Sequence, residues 1–381
     1  MRRRRVAGPA SIAAGVLLLA VAAAGCGAEA SPQPAPTTTE AAGTTSTAAE
    51  STTTTAEPVV PSWPLTGVPT DDAAGLVQPA IVVKVDNSPE ARPHAGINQA
   101  DIVYELQVEG ITRFMEVFHS QTPDRVGPVR SARSSDINLL SNLNRPLLLW
   151  SGGNPGVTNE VLRAQDNNLL VDYVHGGVAN AYFYRDDSGG RYIPHNLFVD
   201  QVGIRTEFTP EDSGPPQAVF GRRAKGETLP ATAIDFPGIT VDFGMGVRVD
   251  YVWDAERGGW DRFQVDSAHG PTDAAFIDEA GVQVAPPNVV ILNLPYEMSG
   301  SSPVAQSVGG GSGMLLTEGK ALIINWMRES ADQPWVLIDP TTSQPVSLPA
   351  GPTWVALPQQ DVDQLVPMAS DVAATLLATR K

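Results

Sequence analysis

The stretch from Ile102 to His119 constrains the fold most. Ile102–Val108 and Ile111–His119 each alternate with a period of two, and Glu109-Gly110 lies between them. That pattern is a β-hairpin. A two-residue loop sets its register: Val108 faces Ile111, Leu106 faces Arg113, Tyr104 faces Met115 and Ile102 faces Val117. One face is then apolar except for Arg113 and, at its end, His119, so it packs on the core. The other face carries Val103, Glu105, Gln107, Thr112, Phe114, Glu116 and Phe118. On it Glu105 lies opposite Phe114 and Glu116 opposite Val103, which makes the two carboxylates diagonal neighbours within about 8 Å. Carboxylates at that range, flanked by Phe114 and Phe118, can divide into an acid and a base and form a hydrolytic or sugar-binding site. The competing reading is a solvated sheet face with ordinary acidic residues.

Polar loops surround this hairpin. Ile81–Val85 is a β-branched run fit for a strand, and Asp86-Asn87-Ser88-Pro89 ends it. Residues 92–101, including His94, form a loop. Past Pro123, Arg125, Arg130 and Arg133 crowd with three serines into a Gly/Pro loop, and Ser134-Ser135-Asp136 opens a helix through Leu143. Guanidinium forks and helix-start amides hold carboxylates and phosphates. Alternatively, these arginines pair internally with Glu105, Glu109 or Glu116. Residues 144–150 lead into a strand, 151–156 turn, and 158–164 form a short helix. A second polar loop interleaves Tyr182, Phe183 and Tyr184 with Arg185, and later Arg191 and Tyr192 with His195 and Asn196. It suits carbohydrate or peptide stacking, or a packed loop with a satisfied histidine. The candidate ligand-binding set is therefore Asp86, Asn87, His94, Arg113, Arg130, Arg133, Asp136, Arg191, His195 and Asn196; the candidate catalytic pair is Glu105 and Glu116.

The segments VKVDN, RPHAGINQADIVYE, EGITRF, VGPVRSARSSD and PHNL resemble the YerB-type bacterial lipoproteins, the family of domain of unknown function 3048. The resemblance covers most of the chain beyond residue 62. It implies an extracytoplasmic lipoprotein with an N-terminal domain and a smaller C-terminal one, and it brings no established activity.

The later half is rich in short strand patterns with Gly/Pro turns. Val247–Trp253 alternates, Asp254–Gly259 turns and Trp260–Val265 returns. Residues 288–294, 314–316, 321–327, 335–338 and 353–357 add strands, which suggests a sandwich or barrel. Gly309–Gly313 lacks the ending of a phosphate loop and reads as a flexible loop. Trp253, Trp260, Trp326, Trp335 and Trp354 read as core, and 367–380 as a terminal helix. The expected fold class is α+β: a mixed N-terminal domain over 63–215, a mostly β domain over 216–358 and a tail over 359–381.

The chain has no HExxH, no cysteine cluster and no GxSxG. His94, His119, His175, His195 and His269 are too scattered to define a metal site. No metal and no cofactor is expected. Asp86, His94 and Asp101 can meet in one cleft, but nothing in their spacing requires it.

The N-terminus addresses the chain. MRRRR precedes an apolar run, Ile12–Ala24, of about 13 residues, too short to span a bilayer comfortably. It ends in Ala23-Ala24-Gly25-Cys26, which resembles a lipobox. Residues 1–25 read as a signal peptide and Cys26, the only cysteine, as the lipidated residue that attaches the protein to the membrane. Signal peptidase I cleavage beside an incidental cysteine is the other reading. Residues 26–62 are Ala, Thr, Ser, Pro and Glu with almost no large apolar side chain, a disordered tether of about 30 Å. Lys+Arg number 25 against Asp+Glu 42. Without Arg2–Arg5 the balance is 21 − 42 = −21, which disfavours nucleic acid as a partner. The expected protein lies at the outer face of the cytoplasmic membrane and binds a wall glycan, a wall peptide or an envelope protein. The alternatives are a wall-polymer hydrolase using Glu105 and Glu116, and a scaffold for an envelope complex.

Overall fold

A computed structural model describes residues 60–244, 246–266, 270–300, 302–360 and 365–381. The signal segment, Cys26, nearly all of the tether and His269 lie outside the described residues.

The first part alternates strands with short helices. After α1 (Ala73–Leu76) come β1 (Ile81–Asp86), β2 (Ile102–Gln107) and β3 (Thr112–Phe118). Then α2 (Ser134–Leu140), β4 (Leu147–Trp150), α3 (Pro155–Asp166) and β5 (Val171–Val174) follow. A small hairpin, β6 (Phe183–Arg185) and β7 (Leu197–Val199), leads to α4 (Gln201–Phe208). The expected hairpin register holds at every residue, from Ile102 opposite Val117 to Leu106 opposite Arg113, with Val108 N–H bonded to Ile111 O at 2.9 Å. Gly110 takes φ 78°, which costs glycine no Cβ clash. β1 pairs antiparallel with β3 and parallel with β4. The parallel strands read IVV and LLLW because both their faces are buried. α3 starts where Asn154 Oδ1 accepts from Val157 N–H at 3.0 Å, with Pro155 at its first position. Its Val157, Val161 and Ala164 form one buried stripe.

Residues 209–233 carry no helix or strand. The remaining strands are β8 (Ile234–Asp235), β9 (Gly238–Asp242), β10 (Val247–Asp254), β11 (Gly259–Asp266), β12 (Gly270–Ala275), β13 (Asn288–Leu292) and the hairpin β14 (Tyr296–Ser299) and β15 (Ser302–Ala305). They continue with β16 (Gly309–Thr317), β17 (Lys320–Arg328), β18 (Val336–Ile338), β19 (Pro345–Val346), β20 (Thr353–Leu357) and β21 (Leu365–Pro367), and α5 (Ser370–Leu377) ends the chain. The fold is α+β, as its patterning implies.

These later strands do not close into one sandwich or barrel of their own. The large sheet runs β19-β18-β17-β16-β13-β20-β2-β3-β1-β4-β5, so β20 inserts parallel beside β2 and both parts of the chain share it. A second sheet, β12-β11-β10-β9-β21, covers one face of the first. On that side Val83, Phe114, Tyr251, Trp260 and Trp354 belong to one core. The opposite face, with Val82, Tyr104, Met115 and Val117, packs on α2, α3, Trp326 and Trp335. Four of the five tryptophans expected inside are buried, and Trp253 is partly so. All described residues form one compact unit.

The glycine run Gly309–Gly313 is not a loop. It is the first half of β16, paired with Arg328 to Ile324 of β17. A Cβ on Gly311 would stand 2.8 Å from Trp326 Nε1, and one on Gly313 would fall on Ile291 O. Glycine lets the backbones and the indole approach. Gly313→Ala is therefore expected to destabilise the protein by about 1–3 kcal/mol, measured as a lower urea midpoint. An unchanged midpoint would refute the packing argument.

Candidate functional site

The two faces of the hairpin carry different chemistry. On the face toward the second sheet Glu105 is wholly buried. It receives bonds from Arg262 Nη2 at 2.7 Å, Thr112 Oγ1 at 2.8 Å and Trp354 Nε1 at 3.0 Å. Arg262, from β11, is equally buried and lies 4.1 Å from the Phe276 ring centroid. Glu116 is also 0 % exposed, and neither carboxylate oxygen has a protein partner. Burial alone pushes its pKa well above the usual carboxylate range. The two carboxylates thus hold the expected register but share no open site. One neutralises an arginine, while burial favours the uncharged form of the other. The solvated-face alternative fails as well, because the second sheet covers this face.

Asn87 and His94 lie on this covered side. Asn87 Nδ2 donates to Thr112 at 2.7 Å and Gln264 at 3.2 Å. His94 Nε2 donates to Asp86 O at 2.6 Å and the ring packs against Phe114 and Phe276. Burial pulls its pKa down to about 3, so it is neutral. Asp101 accepts from His119 N–H and Ser120 at the far end of the hairpin, so Asp86, His94 and Asp101 do not share a cleft.

The other face ends in a polar cluster. Alternation along β1 puts Val82, Lys84 and Asp86 on one side, and Asp86 pairs across to Arg113 of β3. Beyond β1 the segment 128–132 crosses the carboxyl ends of two parallel strands. Arg130 N–H bonds Lys84 O at 2.7 Å, Ser151 N–H bonds Arg130 O at 3.0 Å, and Ala132 N–H bonds Gly152 O at 3.1 Å. Asp86 Oδ1 accepts from Ser88 Oγ at 2.7 Å, while Oδ2 meets Arg130 Nε at 3.1 Å and His195 Nδ1 at 2.8 Å. Burial would raise the Asp86 pKa, but Ser88 and Arg130 outweigh it and hold the carboxyl below its usual range. Lys84 and Asp136 form a wholly buried pair at 2.7 Å, and burial pulls the lysine down despite its partner. Asp136 also caps α2 by accepting from Arg133 N–H at 2.8 Å. Arg133 Nη2 reaches Glu109 at 2.7 Å. Arg113 Nη1 donates to Ser131 O at 3.3 Å.

Asp86, Arg113, Arg130, Arg133, Asp136 and His195 therefore converge from the expected set. Asn87 and His94 do not. Arg191 and Asn196 build the overlying loop: Arg191 donates to Pro93 O at 2.7 Å and Ser188 O at 3.1 Å, and Asn196 accepts from Arg185 Nη1 at 2.7 Å. The internal pairing of the arginines is real for Arg133 with Glu109. Sequence reasoning passed over Lys84, whose place two residues before Asp86 was a usable signal. It also missed Arg262, for which no local signal exists. Among the described residues no group of three or more His, Cys, Asp or Glu is arranged to hold a metal ion.

Residues 65–213 match the N-terminal domain, and 239–355 the C-terminal domain, of the family described as protein of unknown function DUF3048. The chain is 30 % identical over 277 residues to "Putative lipoprotein YerB" of Bacillus subtilis, covering 69 % of this chain and 77 % of that protein. The chain belongs to the DUF3048 family. The crystal structure of YerB protein from Bacillus subtilis shares its fold, with a TM-score of 0.65 at 22 % identity over 81 % of this chain and 99 % of that one.

The contrast between the two glutamates is testable. Glu105→Gln leaves Arg262 buried without its counter-charge and should cost about 3–5 kcal/mol. Glu116 behaves oppositely. Its folded pKa lies above its ordinary value of 4.5, so its contribution is full below that value and is lost as pH rises toward the folded pKa. Glu116→Gln should leave stability near pH 4 little changed and flatten its decline at higher pH, as read from urea denaturation across pH 4–8. Equal losses in both variants would refute this assignment.

Proposed function

We propose that the protein is a lipoprotein, anchored through Cys26 at the outer face of the cytoplasmic membrane, that binds a cell-envelope ligand at the Asp86–Arg130–His195 cluster. One observation carries the reading. Side chains from three separate segments converge where β1 and β4 end, and the Arg130, Arg133 and His195 side chains keep 21 %, 13 % and 13 % exposure. The carboxyl ends of parallel strands are the usual place for a ligand in such sheets. The hydrolase reading has no comparable support, since both its carboxylates are sealed.

The anchor is supported by the sequence before Cys26 and by the description of the relative as a lipoprotein. Among the described residues no helix is long and apolar enough to cross a membrane. The Thr/Ala-rich composition after Cys26 supports reading that stretch as the tether between anchor and folded part. A wall glycan or peptide is the ligand class proposed.

Residues 26–381 carrying Cys26→Ser, mixed with purified cell wall, should sediment saturably, and less so as salt is raised. Arg130→Ala/Arg133→Ala should abolish sedimentation. Sedimentation that survives the double substitution, or that never occurs, would overturn the proposal.

A further inference from the structure

We infer that the cluster binds an oxyanion, a carboxylate or phosphate, on a ligand whose adjoining part is apolar or a ring. This rests on the ligand-binding reading above and names its chemistry. The cations are Lys84, Arg113, Arg130 and Arg133; the carboxylates are Asp86, Glu109 and Asp136. The balance is 4 − 3 = +1, in a chain whose formal net charge is −17. Lys84 and Asp136 satisfy each other. Three guanidiniums are left with two carboxylates, and Asp86 is also engaged by Ser88 and His195.

Arg113 is the group this leaves short. It is 7 % exposed, and its Nε has no acceptor among the described protein atoms. Its contact to Ser131 O is long, at 3.3 Å. Burial first, and then the neighbouring Arg133, pull its pKa down to about 10. A buried guanidinium with a donor left unpaired is costly. An oxyanion supplies paired acceptors in the geometry a guanidinium matches. Arg130 and Arg133 are the accessible members through which such a group would enter.

The rim indicates the rest of the ligand. Tyr192 and Ile193 are 54 % and 65 % exposed and precede His195 in the chain with Pro194 between. The Tyr192 ring stands edge-on to the His195 ring, with centroids 5.4 Å apart. Large apolar side chains exposed together beside a polar cluster fit a partner that covers them. Asp86 engages His195 Nδ1, which leaves Nε2 as the ring nitrogen able to bond a ligand.

The experiment is calorimetric titration of residues 26–381 carrying Cys26→Ser, separately with inorganic phosphate and with N-acetylalanine. Sodium chloride of matched ionic strength is the control. Saturable binding of at least one anion is expected, weakened about ten-fold or more in Arg130→Gln. Arg130→Gln also removes a partner of Asp86, so Arg133→Gln is measured beside it and should weaken binding too. Phosphate binding alone assigns the phosphate class; N-acetylalanine binding alone assigns the carboxylate class; both together support an oxyanion site of either kind. Heats no different from the chloride control, or affinity unchanged in both variants, overturn the inference. Wall sedimentation without anion binding would remove this inference and leave the envelope reading standing. Anion binding without sedimentation would do the reverse.

Discussion

The buried pair between Glu105 and Arg262 is the constraint on which the arrangement depends. It joins a strand of the first part of the chain to a strand of the second sheet, with both side chains wholly removed from solvent. Desolvating two ions is costly, and their attraction offsets that cost only when the remaining hydrogen bonds are made. Here they are made. Thr112 and Trp354 complete the carboxylate, Gln264 takes a second bond from Arg262 at 2.8 Å, and aromatic rings lie around the guanidinium. The pair therefore acts as a registry device. It lets the second sheet sit on the hairpin in one position and excludes water from that face.

Covering one face leaves the rim for function. β1, β2 and β3 are buried on both faces, so side chains at the end of β1 project from a packed sheet. Asp86 is fixed by Ser88, His195 and Arg130, and the segment crossing the ends of β1 and β4 is held by backbone bonds to both. A site of this kind is preorganised: its polar groups are placed before any ligand arrives. The loop above it is tied separately, through Arg191 to Pro93 and through Arg125, which lies over Phe198 and pairs with Asp186 and Glu279.

Much of the fold was legible because local chemistry decides it. The hairpin register follows from alternation and a two-residue turn. β1 follows from its β-branched run, and α2 from the Ser-Ser-Asp start. The tryptophans read as core because large rings bury. What could not be read depends on distant partners. Whether the Glu105 face meets water is decided by Arg262 and Trp354, 157 and 249 residues further along. The same cover takes Asn87 and His94 out of the site. The glycines at 309–313 look like a loop until Ile291 and Trp326 are known to press against them. Arg130 and Arg133 were found because a cluster of basic residues stands out in an acidic chain, and Arg113 because it breaks the apolar face of the hairpin, while Lys84 was hidden inside a strand pattern.

The central claim is that the ligand sits where β1 and β4 end, not on the covered face. Hydrogen exchange of residues 26–381 carrying Cys26→Ser, with and without solubilised cell-wall fragments, tests it directly. Ligand should slow exchange in residues 128–135 and 188–197 and leave β10 and β11 unchanged. Protection confined to the second sheet or to the strands around β17, with none at 128–135, would contradict it.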